Sequence, residues 1–354
     1  MRNYDLKDRI LGSLITAGVG DALGAPVEGY SRQEIHAEFG RVKCFRDAAR
    51  NTVSPDNNIA EVTDDTSQLV EMARAVIRSG GNFTVADAAQ ALVNWSINWP
   101  KYYPRNAGTT TLPVIEGLRA GEDPVKVGML GKMSYRGATN GAVMRVASAG
   151  LIHPGDLDGA VETAIAMTAP SHGTQHGFSG AAAVACAIAE GMTQNSNVWS
   201  VLRAAVYGAK AGSAYGAKHG RMAQGPEIVD RIETALEIVL RTRTMEEAEI
   251  ALQEAVGCDN ISIQTAVSVA LAFFAASKGD SMKTLISCVN IGGDTDTYGC
   301  VAGMIVGAFN GCAGIPEARY RQFRAANPHL DFEGLADGLY EIAARNANNR
   351  AINQ

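Results

Sequence analysis

No two of the chain's six cysteines stand in C-x-x-C spacing, so neither a zinc ribbon nor a dithiol redox centre is indicated. Cys44, Cys186, Cys258, Cys288, Cys300 and Cys312 sit mostly in apolar runs such as "AAAVACAIAEG", as expected of buried, reduced thiols. A basic stripe is also missing. With a net charge of -6 the chain lacks the phosphate-neutralising charge of a general nucleic-acid binder. "MRNYDLKDRI" carries no apolar core followed by a cleavage site, so no secretory leader is expected. No run reads as the ~18 apolar residues of a membrane span, and no membrane partner is expected. These absences read as a reduced, cytoplasmic, soluble protein.

Strict alternation of β-branched or aromatic with polar residues is scarce, and helical periodicity takes its place. "QLVEMARAVIRSGG" puts Leu69, Val70, Ala73, Val76 and Ile77 on one face and stops at Gly80-Gly81. "PEIVDRIETALEIVLRTR" and "MEEAEIALQEAVG" repeat the pattern with charged outer faces. "GFSGAAAVACAIAEGM" is apolar nearly all round and reads as a central helix. With 46% hydrophobic residues the chain can bury a large core. There is no repeat, no low-complexity tract and no strong boundary. We expect an all-α, single compact multi-helix domain over residues 1–354, acting as a monomer. Two irregular segments stand out, about 29–58 and 98–111, and long irregular loops are often functional.

Two acidic motifs interrupt this pattern. "EVTDDTSQLV" sets Thr63, Asp64, Asp65 and Thr66 at the start of an amphipathic helix. "VNIGGDTDTYGCVAG" sets Asp294, Thr295, Asp296 and Thr297 at the start of another. Either motif alone reads most simply as a helix cap, with Asp or Thr accepting from free N–H groups at the positive end of the dipole. A cap needs one side-chain oxygen, however, and each motif offers a doubled carboxylate flanked by hydroxyls. Hard divalent cations take such mixed oxygen shells, and two carboxylate pairs brought together repel unless cations lie between them. Neither motif holds His or Cys, which argues against zinc. Behind the second motif, Gly299, Gly303 and Gly307 form a smooth strip suited to close helix packing. "GVGDALGAPVEGY" near the N-terminus holds Asp21 and Glu28 and reads as a glycine-rich helix end and turn. It has neither the lysine nor the preceding strand of a phosphate loop.

In order along the chain, "GDALGAPVE", "TDDT", "NGAVMR" and "GGDTDT" resemble the ADP-ribosylglycohydrolase family, a likeness running from about Gly12 to Pro316. The resemblance implies an all-α fold with a dinuclear Mg²⁺ or Mn²⁺ centre that removes ADP-ribose from modified targets. It implies Thr63, Asp64, Asp65, Asp294, Asp296 and Thr297 as ligands of two cations. Glu28 matches the family's glutamate on a mobile loop, and Glu28, Asp65 and Asp296 are the implied catalytic residues. "RGATNGAVMRV" implies Asn140 and Gly141 at the ribose and phosphates, and "APSHG" implies Ser171 and His172 near the distal ribose or phosphates. "PRNAGTTT" implies Gly108, Thr109 and Thr110 at the pocket entrance. Thr139 replaces a usual glycine, and Tyr298 stands where a smaller aliphatic residue is frequent, so the leaving group is the least defined feature. Tyr102, Tyr103, Tyr215 and Tyr298 are candidates to stack on adenine.

The implied reaction is metal-dependent hydrolysis of the N-glycosidic bond between ADP-ribose and an arginine of a modified protein. A glycosidase acting on a small nucleoside conjugate, an immunity protein countering an ADP-ribosylating toxin, and a non-catalytic binding protein of the same fold are the alternatives.

Overall fold

A computed structural model describes residues 5–48, 51, 53–131, 136–257 and 261–353, with side chains followed to Arg350. Cys258 lies outside the described residues. The all-α expectation holds: among the described residues there are seventeen α-helices, three 3₁₀ turns and no strand.

In chain order, α1 (Leu6–Gly24) and α2 (Arg32–Phe39) precede α3 (Asp64–Arg78), α4 (Val85–Asn98), α5 (Thr111–Arg119) and α6 (Pro124–Met129). Next come α7 (Ala147–Leu151), α8 (Leu157–Thr168), α9 (Gln175–Gly191), α10 (Val198–His219) and α11 (Ile228–Leu240). The C-terminal part supplies α12 (Met245–Val256), α13 (Ile263–Ala276), α14 (Ser281–Asn290), α15 (Thr295–Asn310), α16 (Glu317–Ala326) and α17 (Phe332–Asn353).

The centre is built from helices apolar on all sides. α9 is buried along almost its whole length, as its sequence suggests, and packs between α8, α10 and α15. α1 and α15 form the closest pair in the fold. A Cβ at Gly299 would strike the Gly20 carbonyl, one at Gly303 the Thr16 carbonyl, and one at Gly307 the Gly12 carbonyl. The glycine strip therefore lets two backbones touch, which sets the N-terminus of α15 against the C-terminal end of α1. Dispersion between closely approached backbones stabilises the pair where side chains would hold it open.

α1 departs from one expectation. The segment Leu6–Val27 is long and apolar enough on average to cross a membrane, with mean hydropathy 1.4, although no unbroken apolar run marks it. Some 94% of that window is buried inside the protein, so it is the core helix of this fold.

α2 is a second departure, because it lies inside the segment 29–58 that reads as irregular. Its start is a capping box: Ser31 Oγ accepts from Glu34 N, and Glu34 Oε2 accepts from Ser31 N. Arg41, just past its end, donates to both carboxylate oxygens of the buried Glu249 on α12, at 2.8 and 2.5 Å. Of the described cysteines, Cys186, Cys288 and Cys300 are buried and Cys312 is partly so, but Cys44 is exposed.

Candidate metal centre

Two helix starts and one turn meet at a single cleft. Thr63 caps α3 by accepting from Asp65 N, which leaves the carboxylates of Asp64 and Asp65 free of that duty. Asp294 occupies the N-cap position of α15 but makes no side-chain cap hydrogen bond. Capping thus accounts for one threonine and for none of these three acids. Gly292 and Gly293, both at positive φ (89° and 80°), turn the chain so that Asp294 enters the helix pointing at the first motif.

The motifs touch directly. The Thr63 hydroxyl donates to Asp296 Oδ2 at 3.4 Å. Glu28 arrives from the end of the 3₁₀ turn Ala25–Val27, and its loop is stitched to the second motif: Gly29 N donates to Gly293 O at 2.8 Å and Gly293 N to Tyr30 O at 2.9 Å. Carboxylate oxygens of Glu28, Asp294 and Asp296 lie within 4.8 Å of one another. Asn140, on the 3₁₀ turn Asn140–Ala142, donates its amide to Asp294 Oδ2.

The cleft, about 130 Å³ in volume, is bordered by Glu28, Asp64, Asp65, Asp294, Asp296 and Thr297 on its acidic side. Gly108, Thr109, Asn140 and Gly141 border it too, so four of the residues implied for substrate share one cleft with the acidic group, and Asn140 bonds to it directly.

Four of the expected substrate residues sit elsewhere, among them Thr110, buried with its Oγ1 accepting from Gly137 N at 3.2 Å. Tyr298 is fully buried in the core behind the cleft. Ser171 and His172 are buried one layer back: His172 Nε2 is 2.7 Å from Thr139 Oγ1, and Nδ1 is 2.8 Å from Ser171 Oγ. Of the other tyrosines, Tyr102 is buried with its hydroxyl on Val62 O, Tyr103 packs edge-on against Trp95, and Tyr215 packs against Phe178.

A sequence profile described as ADP-ribosylglycohydrolase matches residues 2–349. The chain belongs to the ADP-ribosylglycohydrolase family. Similar proteins match along most of its length. The uncharacterized protein YegU of Escherichia coli (strain K12) is 30% identical over 94% of this chain and 96% of its own. An ADP-ribosyl-[dinitrogen reductase] glycohydrolase of Rhodospirillum rubrum is 26% identical over 89% and 90%. Among solved structures, a chain of an "ADP-ribosylglycohydrolase-related protein complex" superposes with TM-score 0.62 at 25% identity, covering 96% of this chain and 99% of that one.

For a member of this family the electrostatics of the cleft are the informative feature. Glu28, Asp64, Asp65 and Asp296 all have carboxyl pKa values held well above the ordinary range, first by burial and then by their mutual repulsion, with Asp296 foremost for the other three. Asp294 is raised by burial as well, but less, since hydrogen bonds with the Asp296 carboxyl and from Asn140 and Thr297 offset part of it. Such a cluster calls for cations or protons. The residues fit a hard divalent ion. All the donors are oxygens, and Asp65 Oδ1, buried and aimed into the cluster's side of α3, has no hydrogen-bond partner.

Three contributors act through contacts that no single motif shows. Asp21, fully buried on α1, accepts from Thr63 N (3.1 and 3.0 Å) and Thr66 N (3.1 Å), so a neighbouring helix supplies the anionic cap of α3. Burial and the adjacent Asp296 push Asp21 up to about 7. Gln68 donates to Asp64 Oδ2 at 3.0 Å, and Arg145 donates to Gln68. Periodicity could have marked Gln68, which lies one turn after Asp64 on the same face of α3. Arg145 closes the motif "NGAVMR", but nothing local points it at α3.

Proposed function

We propose that this protein is a divalent-cation-dependent hydrolase that releases ADP-ribose from mono-ADP-ribosylated protein, cleaving the N-glycosidic bond to arginine. The observation that supports this most is the meeting of "TDDT" and "GGDTDT" at one cleft, joined by the hydrogen bond from Thr63 to Asp296.

In this reading Asp64, Asp65, Asp294 and Asp296, with Thr63 and Thr297, hold two cations, Mg²⁺ or Mn²⁺. Bound cations would supply charge that neutralises the carboxylates and polarises the ribose hydroxyls and the attacking water. The chain does the rest. Gly108, Thr109, Asn140 and Gly141 line the same cleft and orient the ribose and diphosphate. Glu28 is the clustered acid on a non-helical segment, so it alone can shift toward the substrate without unwinding a helix start. We assign it proton transfer. Water bonds to the anomeric carbon as the carbon–nitrogen bond breaks. The water's proton passes to Glu28, and from Glu28 to the departing guanidine nitrogen. The remaining carboxylates stabilise the positive charge that develops on the sugar.

The test is a release assay. Protein supplied with Mg²⁺ or Mn²⁺ frees ADP-ribose from an arginine-modified protein, and Asp296→Ala does not. Failure to release ADP-ribose from arginine-modified protein, with release from a small conjugate instead, would move the substrate; no release from either would reject the activity.

A further inference from the structure

Arg145 is a fully buried cation whose hydrogen bonds all run to neutral groups. One Nη donates to Gln68 Oε1. The other lies 2.7 Å from Ser171 Oγ and 3.4 Å from His172 Nδ1. Burying a guanidinium is costly, and the nearby Asp64 and Asp65 carboxylates offset only part of the penalty, so the fold retains it at a cost.

What it does follows from chemistry. Arginine only donates, and both Gln68 and His172 are ambiguous groups whose direction a neighbour must set. Because Gln68 Oε1 accepts from Arg145, its amide nitrogen must face the other way, toward Asp64 Oδ2 at 3.0 Å. Ser171 Oγ accepts from Arg145 and turns its own proton to His172 Nδ1 at 2.8 Å, so Nδ1, which also faces the guanidinium, is the accepting nitrogen and the ring proton sits on Nε2. Nε2 then donates to Thr139 Oγ1 at 2.7 Å, whose own proton is directed to Thr110 Oγ1 at 3.2 Å. One chain ends on an acid of the proposed cation site. The other ends on Thr139, which borders the cleft next to Asn140.

We propose that Arg145 is a positioning residue that sets the polarity of both chains, fixing the Gln68 amide on Asp64 and the Nε2–H tautomer of His172 on Thr139. It thereby orients the cation-binding wall and the substrate-binding wall of the cleft from one buried point. This rests on the proposed function for what the walls bind, but not for the hydrogen-bond directions.

The test separates the two. Long-range ¹⁵N NMR of histidine-labelled protein, with the His172 signal assigned by His172→Gln, reads the tautomer without metal or substrate. The expected result is a neutral Nε2–H ring in the native protein. An Nδ1–H ring, or an imidazolium at pH 7, overturns the proposal with no variant needed. Arg145→Met, checked for folding by circular dichroism, is expected to lose the single tautomer and to bind Mn²⁺ about 10-fold more weakly, the lower end of what outer-shell changes cost. Gln68→Met is expected to weaken Mn²⁺ to the same degree while leaving the His172 tautomer intact, and adding it to Arg145→Met should cost no further affinity. A folded Arg145→Met that keeps both the tautomer and the Mn²⁺ affinity overturns the proposal. A native protein that binds no Mn²⁺ instead overturns the proposed function, and the tautomer then decides the role of Arg145 by itself.

Discussion

Thr63 and Asp296, 233 positions apart, are joined by a hydrogen bond from the threonine hydroxyl to the carboxylate at 3.4 Å. Each belongs to a motif that reads alone as a helix cap. Their contact turns two capped helix starts into one buried anionic group, and the consequences can be measured.

Removing one of the clustered charges should stabilise the protein when cations are withheld. Asp296→Asn keeps the shape and deletes a fully desolvated like charge. In EDTA its thermal midpoint should exceed that of the native protein by a few degrees, whereas added Mn²⁺ should raise the native midpoint and not the variant's. Differential scanning calorimetry with and without Mn²⁺ gives both comparisons.

The cation-free protein should also lose stability as pH rises. Glu28, Asp64, Asp65 and Asp296 have folded-state pKa values well above the ordinary carboxylate range, and Asp21 moves from 3.8 to about 7. Between those limits the folded state binds more protons than the unfolded one, so protonation favours folding. That contribution is full below the ordinary values and, for Asp21, is lost as pH passes through about 7. Urea unfolding in EDTA should show greater stability at pH 6 than at pH 8, with the difference shrinking once Mg²⁺ takes the place of the protons.

Gly303→Ala tests the α1–α15 contact by the sign of its effect. In an ordinary helix interior this change favours folding by roughly 1 kcal/mol. Here the new methyl would meet the Thr16 carbonyl, so a cost of about 1–3 kcal/mol is expected instead. Chemical denaturation decides between the signs.

Breaking the buried ion pair behind α2 should be expensive. Arg41→Met leaves Glu249, almost wholly buried, without its bidentate partner. Arg32 Nε stays 4.0 Å from Glu249 Oε2, so a loss of about 3 kcal/mol, the lower end for a broken buried pair, is expected in urea melts. Arg41→Met combined with Glu249→Leu should recover much of it.

Much of this arrangement is legible in the sequence because it is local. Helical periodicity identifies α3, α9, α11 and α12, and the doubled acids announce themselves as more than a cap requires. The rest is not local. Asp21 sits in a glycine-rich helix end, and its meaning appears only when Thr63 and Thr66, over forty positions on, bring their N–H groups to it. Arg145 closes "NGAVMR" and reaches Gln68 on α3, a contact no spacing rule supplies. Tyr298 follows the acids so closely that proximity suggested a role in the cleft. One residue further along a helix rotates a side chain by about 100°, and this one turns into the core. α2 is a different case, since "SRQE" is a capping-box signature that marks its start within a stretch otherwise poor in apolar periodicity.

The most direct measurement is anomalous X-ray diffraction from crystals grown with Mn²⁺ and ADP-ribose. Anomalous peaks among the carboxylates of Asp64, Asp65, Asp294 and Asp296, with the ribose between them and Asn140, are the expected result. Manganese bound elsewhere, or ADP-ribose seated away from that cleft, would contradict the account.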